Sequence, residues 1–356
     1  MEPTPRTLSE ADRVDLVYAY VLSQVGAKTS TEVLALWQSV PVGQAAQTIT
    51  TWLARAIDLI LTQRWRAREL GIAYYRLARA LRTGTVTANP LIDEEPEQVS
   101  LEMLRQEFEA LVAAVTGEGT TAITAGVEPD GDDDAIVVER INGFTEALAA
   151  DESSAKPYVT QLLNDMADAA TAKVEGMSPD ITNGEAKVTG TSIHAQHGAM
   201  IAGAAGRVAM NGARNATNQV SARDPRIIGW VRQHGQSDKP CYFCSMLISR
   251  RVLYKSDASA GKGRESSNDG RKFLGDGIAK FHDNCHCVTE PLYSDESFGT
   301  SPKFAMNRYY GDLWDKHMHD SKGQMKFAPD EAINEWRKIL ARIRATETKP
   351  AAQAAA

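Results

Sequence analysis

Cysteine and histidine side chains, which bind transition metals, gather in one part of this chain. All four cysteines of the 356 residues fall between positions 241 and 287, as Cys241-Tyr-Phe-Cys244 and His282-Asp-Asn-Cys285-His286-Cys287. A C-x2-C pair lets two thiolates reach one tetrahedral ion from a single turn, and a second short pair completes four ligands. The spacing therefore predicts a structural Zn²⁺ site.

The second arm contains more metal-binding residues than the site needs. It offers four candidates for two positions: His282, Cys285, His286 and Cys287. Zinc prefers soft, charged thiolates, which favours Cys285 and Cys287, with His282 as the substitute if the C-x-C geometry is too cramped. The predicted ligands are therefore Cys241, Cys244, His282, Cys285 and Cys287. The pair that completes the site stays open at this stage.

Two other interpretations of the cysteines are disulfides and unrelated buried thiols. Residues 1–12 contain no apolar stretch of the length that a secretory signal needs, so we expect a reducing compartment, where disulfides are rare. Four unrelated thiols would seldom cluster so tightly. A catalytic zinc is disfavoured because a closed, thiolate-rich site leaves no position for water, and the chain contains no H-E-x-x-H motif.

Short apolar segments must position the two arms. One precedes Cys241, another follows Cys244, and the second arm runs into the apolar stretch from Val288 to Tyr293. Such runs, bounded by turn residues, indicate small strands or short helices. Residues 256–270 between the arms are polar and glycine-rich, which is typical of a loop.

The order of these features resembles the Mu F-like head morphogenesis family of tailed phages, in the form found in phages of actinobacteria. An arginine-containing helix, a tryptophan segment, C-x2-C, H-x2-C-x-C and a following Pro-Leu-Tyr carry the resemblance. It covers residues 190–295 well and the helical region before residue 85 more loosely. The family's usual second arm is His-Pro-x-Cys-Arg-Cys, whereas this chain lacks that proline and that arginine.

The resemblance implies a minor head protein that sits near the portal and assists procapsid assembly. Its implied partners are the portal protein, the major capsid protein and the scaffold. Its implied locations are the virion head and, during assembly, the host cytoplasm. Proteins of this kind are also labelled capsid maturation proteases, so the alternative function is cleavage of the capsid or scaffold protein.

The sequence offers no clear catalytic motif for such a protease. There is no Gly-x-Ser-x-Gly elbow, and the nearest candidates for a base are His194 and His197, with Ser192 close by. Solvated histidines at a polar helix start are the simpler explanation. His317 and His319 form a second pair, which we expect on the surface. The catalytic residues are unknown from sequence, and so is whether the chain is an enzyme.

Charge and hydropathy exclude two broad classes of protein. A net charge of −7 and a pI near 5.6 argue against a general nucleic-acid binder, and no apolar run reaches the length of a membrane span. One predicted helix, 44–82, carries seven arginines that could contact packaged DNA or an acidic portal surface: Arg55, Arg64, Arg66, Arg68, Arg76, Arg79 and Arg82. Solvated arginines beside a buried stripe are the commoner explanation.

Hydrophobic periodicity predicts a mainly α fold with a small α+β, zinc-stapled C-terminal module. Predicted helices cover 8–25, 29–39, 44–82, 101–115, 135–150, 155–175, 192–223 and 330–346. A length of 356 residues favours two or three domains. We expect an N-terminal helical domain at 1–85, a helical middle region with acidic linkers at 86–190, the zinc-knuckle module at 191–300, and a C-terminal helix with a disordered tail at 301–356.

Overall fold

The computed structural model describes residues 8–42, 44, 48–117, 135–175, 183–235, 239–250, 281, 283, 285–293, 298, 299, 301–328 and 331–347. The helices are α1 (Glu10–Gln38), α2 (Ile49–Thr83), α3 (Leu101–Thr116), α4 (Phe144–Glu175), α5 (Asn183–Ser221), α6 (Tyr242–Ile248), α7 (Ala305–Met318) and α8 (Ala332–Glu347). The strands are β1 (Thr85–Thr87), β2 (Gln98–Val99), β3 (Ile136–Glu139), β4 (Gly229–His234) and β5 (Cys287–Leu292). Mainly helical structure, as predicted, is confirmed.

Three long helices, α1, α2 and α5, pack against one another, and α4 lies against α2 and α5. Small residues permit the close approach. A Cβ atom at Gly212 would lie 2.1 Å from the carbonyl oxygen of Arg64, and one at Gly206 would lie 2.7 Å from that of Gly26. Each glycine in α5 costs about 1 kcal/mol of helix stability relative to alanine, but it allows the backbones of two helices to come into contact.

One helix prediction differs from the structure because packing overrides local sequence. The separate helices 8–25 and 29–39 form the single helix α1, which continues through Gly26 where the side chain of Met210 packs. The helix predicted over 44–82 is observed as the single helix α2, which runs unbroken through Gly71, where the backbone of Ala213 packs closely. In both cases the glycine accommodates the crossing helix α5.

The predicted helix 135–150 is wrong in its first half, where β3 forms instead. This strand is the centre of a three-stranded sheet, parallel to β1 and antiparallel to β2. The β-branched run Ile136-Val137-Val138 suits a strand, and helix begins after Gly143, whose φ is +75°. From there α4 continues as one helix where two had been predicted.

The sheet and the N-terminal helices share a hydrophobic core. Buried side chains of α1, α2, α3, α4, α5, β1 and β3 contact one another there, together with Val288 of β5. This core therefore draws on residues from the first three predicted domains. The division of the chain into domains stays a prediction.

A second core lies in the C-terminal region and holds the cysteines. It joins α6, α7 and α8, with Trp314 and Trp336 packed edge to face at 5.1 Å between ring centroids. The antiparallel pair β4–β5 borders this core. The small α+β arrangement predicted around the cysteines is thus present in the described residues, with α7 and α8 covering it.

Candidate metal centre

Three buried thiols converge where the β4–β5 pair meets α6. Cys244 lies in the first turn of α6, Cys285 precedes β5, and Cys287 is the first residue of β5. Their Sγ atoms lie within 4.8 Å of one another, and those of Cys244 and Cys285 are 3.5 Å apart. Each residue is 2% exposed or less. The two sequence arms therefore meet in one small volume.

Strand pairing explains the convergence. In the antiparallel register the last residue of β4, His234, pairs with Cys287, the first residue of β5. Because α6 follows shortly after β4, its N-terminal turn lies at the same end of the pair as the second arm. The hydrogen bond from Trp336 Nε1 to Ser245 Oγ, at 3.1 Å, fixes α8 against α6.

Cys241 completes the first arm. It is the N-cap of α6, and its Sγ accepts a hydrogen bond of 3.3 Å from the backbone N–H of Cys244. Its thiol also hydrogen-bonds with that of Cys244. The C-x2-C spacing thus forms the single turn that the sequence predicted, and Cys241 is the more exposed of the two cysteines.

His234 is a neighbour of the cluster that the spacing of the cysteines did not reveal. Its Nδ1 lies 3.5 Å from Cys287 Sγ. It is separated from Cys241 by six residues, so no short ligand motif includes it. Only the β4–β5 register brings its ring to the thiols.

Two buried arginines surround the cluster on its inner side. Arg214 and Arg232, both 1% exposed or less, stack on the ring of Phe281, with guanidinium carbons 3.7 Å and 4.0 Å from its centroid. Arg232 Nη2 lies 3.4 Å from Cys285 Sγ. Arg214 donates to the carbonyl oxygens of Cys285 and Cys287 at 2.5 Å and 3.0 Å.

The pKa values of the neighbouring thiols Cys244 and Cys285 are shifted in opposite directions. Burial opposes ionisation of Cys285, but hydrogen bonds from Cys244 and Cys287 and the charges of Arg232 and Arg214 outweigh it, so its pKa lies well below the usual range. Hydrogen bonds to Cys241 and Cys285 raise the pKa of Cys244. The thiol of Cys285 therefore ionises more readily than that of Cys244.

The donor set fits a zinc ion. Zn–S bonds of about 2.3 Å in a tetrahedron place sulfur atoms roughly 3.8 Å apart, close to the 3.5 Å between Cys244 and Cys285. Thiolate sulfur is also the ligand type that zinc favours in closed structural sites. The three thiols Cys244, Cys285 and Cys287 are close enough to bind one metal ion.

A comparison with protein families places this segment in a known group. The family described as VG15 protein matches residues 142–321, just over half of the chain and the part that holds all four cysteines. The chain belongs to the VG15 family. VG15 is a family of phage proteins. The membership confirms the prediction that this chain is a phage protein.

Further comparisons add no second relative. No curated protein and no solved structure matches this VG15 family member. None of its described helices combines the length and the hydropathy that crossing a membrane requires.

The other candidate ligands in the second arm of this VG15 protein were the histidines His282 and His286. His282 lies outside the described residues. His286 stands between two of the clustered cysteines, and its carbonyl oxygen accepts a hydrogen bond of 3.1 Å from Gly235 N–H, which helps to hold the strand pair. All four cysteines are free thiols, so the structure contains no disulfide among them.

The histidines considered as a protease base take part in helix packing. His194 stacks on Trp37 at 4.7 Å, and its carbonyl oxygen accepts a hydrogen bond from the indole N–H. Burial lowers the pKa of His197, and Lys173 adds to that effect. Within the described side chains no carboxylate hydrogen-bonds to either ring, and Ser192 is exposed. His319 instead pairs with Asp315 at 3.3 Å on α7.

Most arginines of α2 are tied to carboxylates inside this protein. Arg64 pairs with Asp151, Arg68 with Glu152, Arg76 with Glu95, Arg79 with Glu139 and Asp224, and Arg82 with Asp15. The two other arginines of the helix, Arg55 and Arg66, are exposed. Five of the seven therefore join α2 to other parts of the fold, a use that the sequence pattern of flanking arginines did not reveal.

Proposed function

We propose that this VG15 family member is a minor head protein of the Mu F-like type, which binds portal and capsid subunits during procapsid assembly and is stabilised by one structural zinc. The observation that carries the proposal is the family match over residues 142–321, because that segment contains the complete cysteine cluster. The order of sequence features that resembles the Mu F-like family supports the finer assignment.

The zinc has a structural role in this proposal. Metal bound at Cys244, Cys285 and Cys287 would join α6 to β5, although Cys244 and Cys285 are 41 residues apart in sequence. In small modules the free energy of coordination becomes free energy of folding. The metal would therefore hold the module that α7 and α8 cover in the conformation that its partners recognise.

The partners follow from the resemblance. We expect binding to the portal protein and to the major capsid protein, contact with the scaffold during assembly, and a place in the virion head. DNA contact through α2 is also proposed only for its exposed arginines, Arg55 and Arg66, since the other five form internal ion pairs.

The metal is tested first on the purified protein. We expect one zinc per chain by elemental mass spectrometry, and we expect a strong chelator or Cys244→Ser to lower the melting temperature. Met246→Leu is the matched control, because this residue packs against the same core and changes neither volume nor charge much. A protein free of metal that melts like the untreated sample would refute the structural zinc.

The assembly role is tested in the phage. A phage lacking this gene should produce defective heads by electron microscopy, and the parent gene should restore them. Portal and capsid protein should co-purify with the chain from infected cells. Normal heads without the gene would refute the proposal.

Intact-mass measurement of the major capsid protein from complemented phage tests proteolysis separately. Loss of an N-terminal segment only when the gene is present would favour a maturation protease instead.

A further inference from the structure

Arg214 and Arg232 are buried beside sulfur atoms at a depth where an isolated charge is costly. Both residues are 1% exposed or less, and each guanidinium group packs on the ring of Phe281. Transfer of a cation into such surroundings requires an opposite charge nearby. The structure shows which groups supply it for these two residues.

The groups beside both guanidinium groups belong to the second cysteine arm. Arg232 Nη2 is 3.4 Å from Cys285 Sγ, within hydrogen-bonding distance of a sulfur acceptor. Arg214 reaches the same segment through the main chain, since it donates to the carbonyl oxygens of Cys285 and Cys287 at 2.5 Å and 3.0 Å. Arg214 of α5 and Arg232 of β4 thus both contact the second arm.

Charge balance then distinguishes the ligand sets. Four thiolates around one Zn²⁺ leave an excess of two negative charges, whereas three thiolates and a neutral histidine leave one. Two guanidinium groups match the first arrangement. Cys241, whose Sγ already accepts the Cys244 N–H at 3.3 Å, is the fourth thiol within the same turn.

We propose that Arg214 and Arg232 are the buried counter-ions of a four-thiolate site formed by Cys241, Cys244, Cys285 and Cys287, with His234 outside the ligand set. They act as positioning residues: Arg232 orients the sulfur of Cys285, and Arg214 fixes the backbone on both sides of His286. This inference rests on the zinc of the proposed function. Residues next to metal ligands commonly change metal affinity by about 10-fold to 100-fold when they are removed.

The test measures metal affinity in the full chain. Zn²⁺ is titrated against a chromophoric chelator, and Co²⁺ is used to read the thiolate-to-metal charge-transfer band. We expect Arg232→Gln, which keeps a donor but loses the charge, to weaken binding about 10-fold to 100-fold, and Arg232→Lys to restore much of it. Cys241→Ser should reduce the charge-transfer intensity, while His234→Gln should leave it unchanged.

Arg250→Met is the matched control. Arg250 also stacks on a ring of this core, that of Trp314 at 4.5 Å, but forms no hydrogen bond with a cysteine among the described residues, so its loss should leave the affinity unchanged. If the parent protein binds no zinc, both the structural zinc and this inference are wrong. If the parent binds zinc and Arg232→Gln binds it equally well, only the counter-ion role is wrong. Loss of the band in His234→Gln would overturn the four-thiolate set.

Discussion

Replacement of Arg79 by methionine should strongly destabilise the protein, although a helix with seven arginines could appear tolerant of losing one. The ion pair between Arg79 Nε and Asp224 Oδ2 is 2.6 Å long, and both side chains are 0% exposed. The same guanidinium group donates to Thr85 Oγ1 at 2.7 Å and pairs with Glu139. One side chain therefore joins α2, the first sheet and the end of α5.

The magnitude follows from the charge left behind. Breaking a buried ion pair by removing one partner costs roughly 3–5 kcal/mol, because the other charge stays buried. Asp224 would keep two donors, the Tyr75 hydroxyl at 2.8 Å and the Arg226 N–H at 3.0 Å. These donors compensate in part, so we expect a loss of about 3 kcal/mol in the free energy of unfolding, or about 4 °C in the melting temperature of a chain this long.

Urea unfolding followed by circular dichroism measures this loss. The control is Arg66→Met on the exposed side of α2, which should change the free energy by less than about 0.5 kcal/mol. Addition of Asp224→Asn to Arg79→Met should recover at least about 1 kcal/mol, because it removes the uncompensated charge. An Arg79→Met protein as stable as Arg66→Met would refute the reasoning, as would a double variant that is less stable than the single one.

Three further predictions concern packing, pH and capping. Gly212→Ala should destabilise by about 1–3 kcal/mol despite better helix propensity, since the new Cβ would lie 2.1 Å from the carbonyl oxygen of Arg64. Burial and the charge of Asp15 raise the pKa of Glu290 from 4.5 to about 7. The folded protein therefore binds this proton more tightly than the unfolded chain, and the free energy of unfolding falls as pH rises from about 4.5 to about 7. Glu290→Gln should remove up to about 3 kcal/mol of this pH dependence. Ser100→Ala should cost about 1 kcal/mol, because the Ser100 hydroxyl caps α3 through a bond of 3.1 Å.

The same unfolding assay checks these variants against matched controls. Gly299→Ala, where a Cβ meets nothing within 4 Å, should be neutral, and a Gly212→Ala protein equal to it would contradict the packing argument. Parallel stability curves for Glu290→Gln and the parent between pH 5 and 8 would contradict the raised pKa. An unchanged Ser100→Ala protein would show that the cap contributes nothing measurable.

Local sequence determined much of the fold. Apolar residues at spacings of three and four indicate helix, so most of the helical regions were predicted, including 101–115, which is observed as α3. The same periodicity predicted the helix at 330–346, which is observed as α8. It failed where a β-branched run began β3, since strand formation there depends on partners in β1 and β2.

For the metal centre, the sequence determined the ligand chemistry and the tertiary structure decided the set. Four cysteines in two short arms predicted thiolate ligation, because ligand type and spacing are properties of the chain alone. The proximity of His234 to Cys287 and the burial of Arg214 and Arg232 against the cluster arise from the β4–β5 register and from the packing of α5. Residues this far apart in sequence become neighbours only when the fold forms, and no spacing rule could have revealed them.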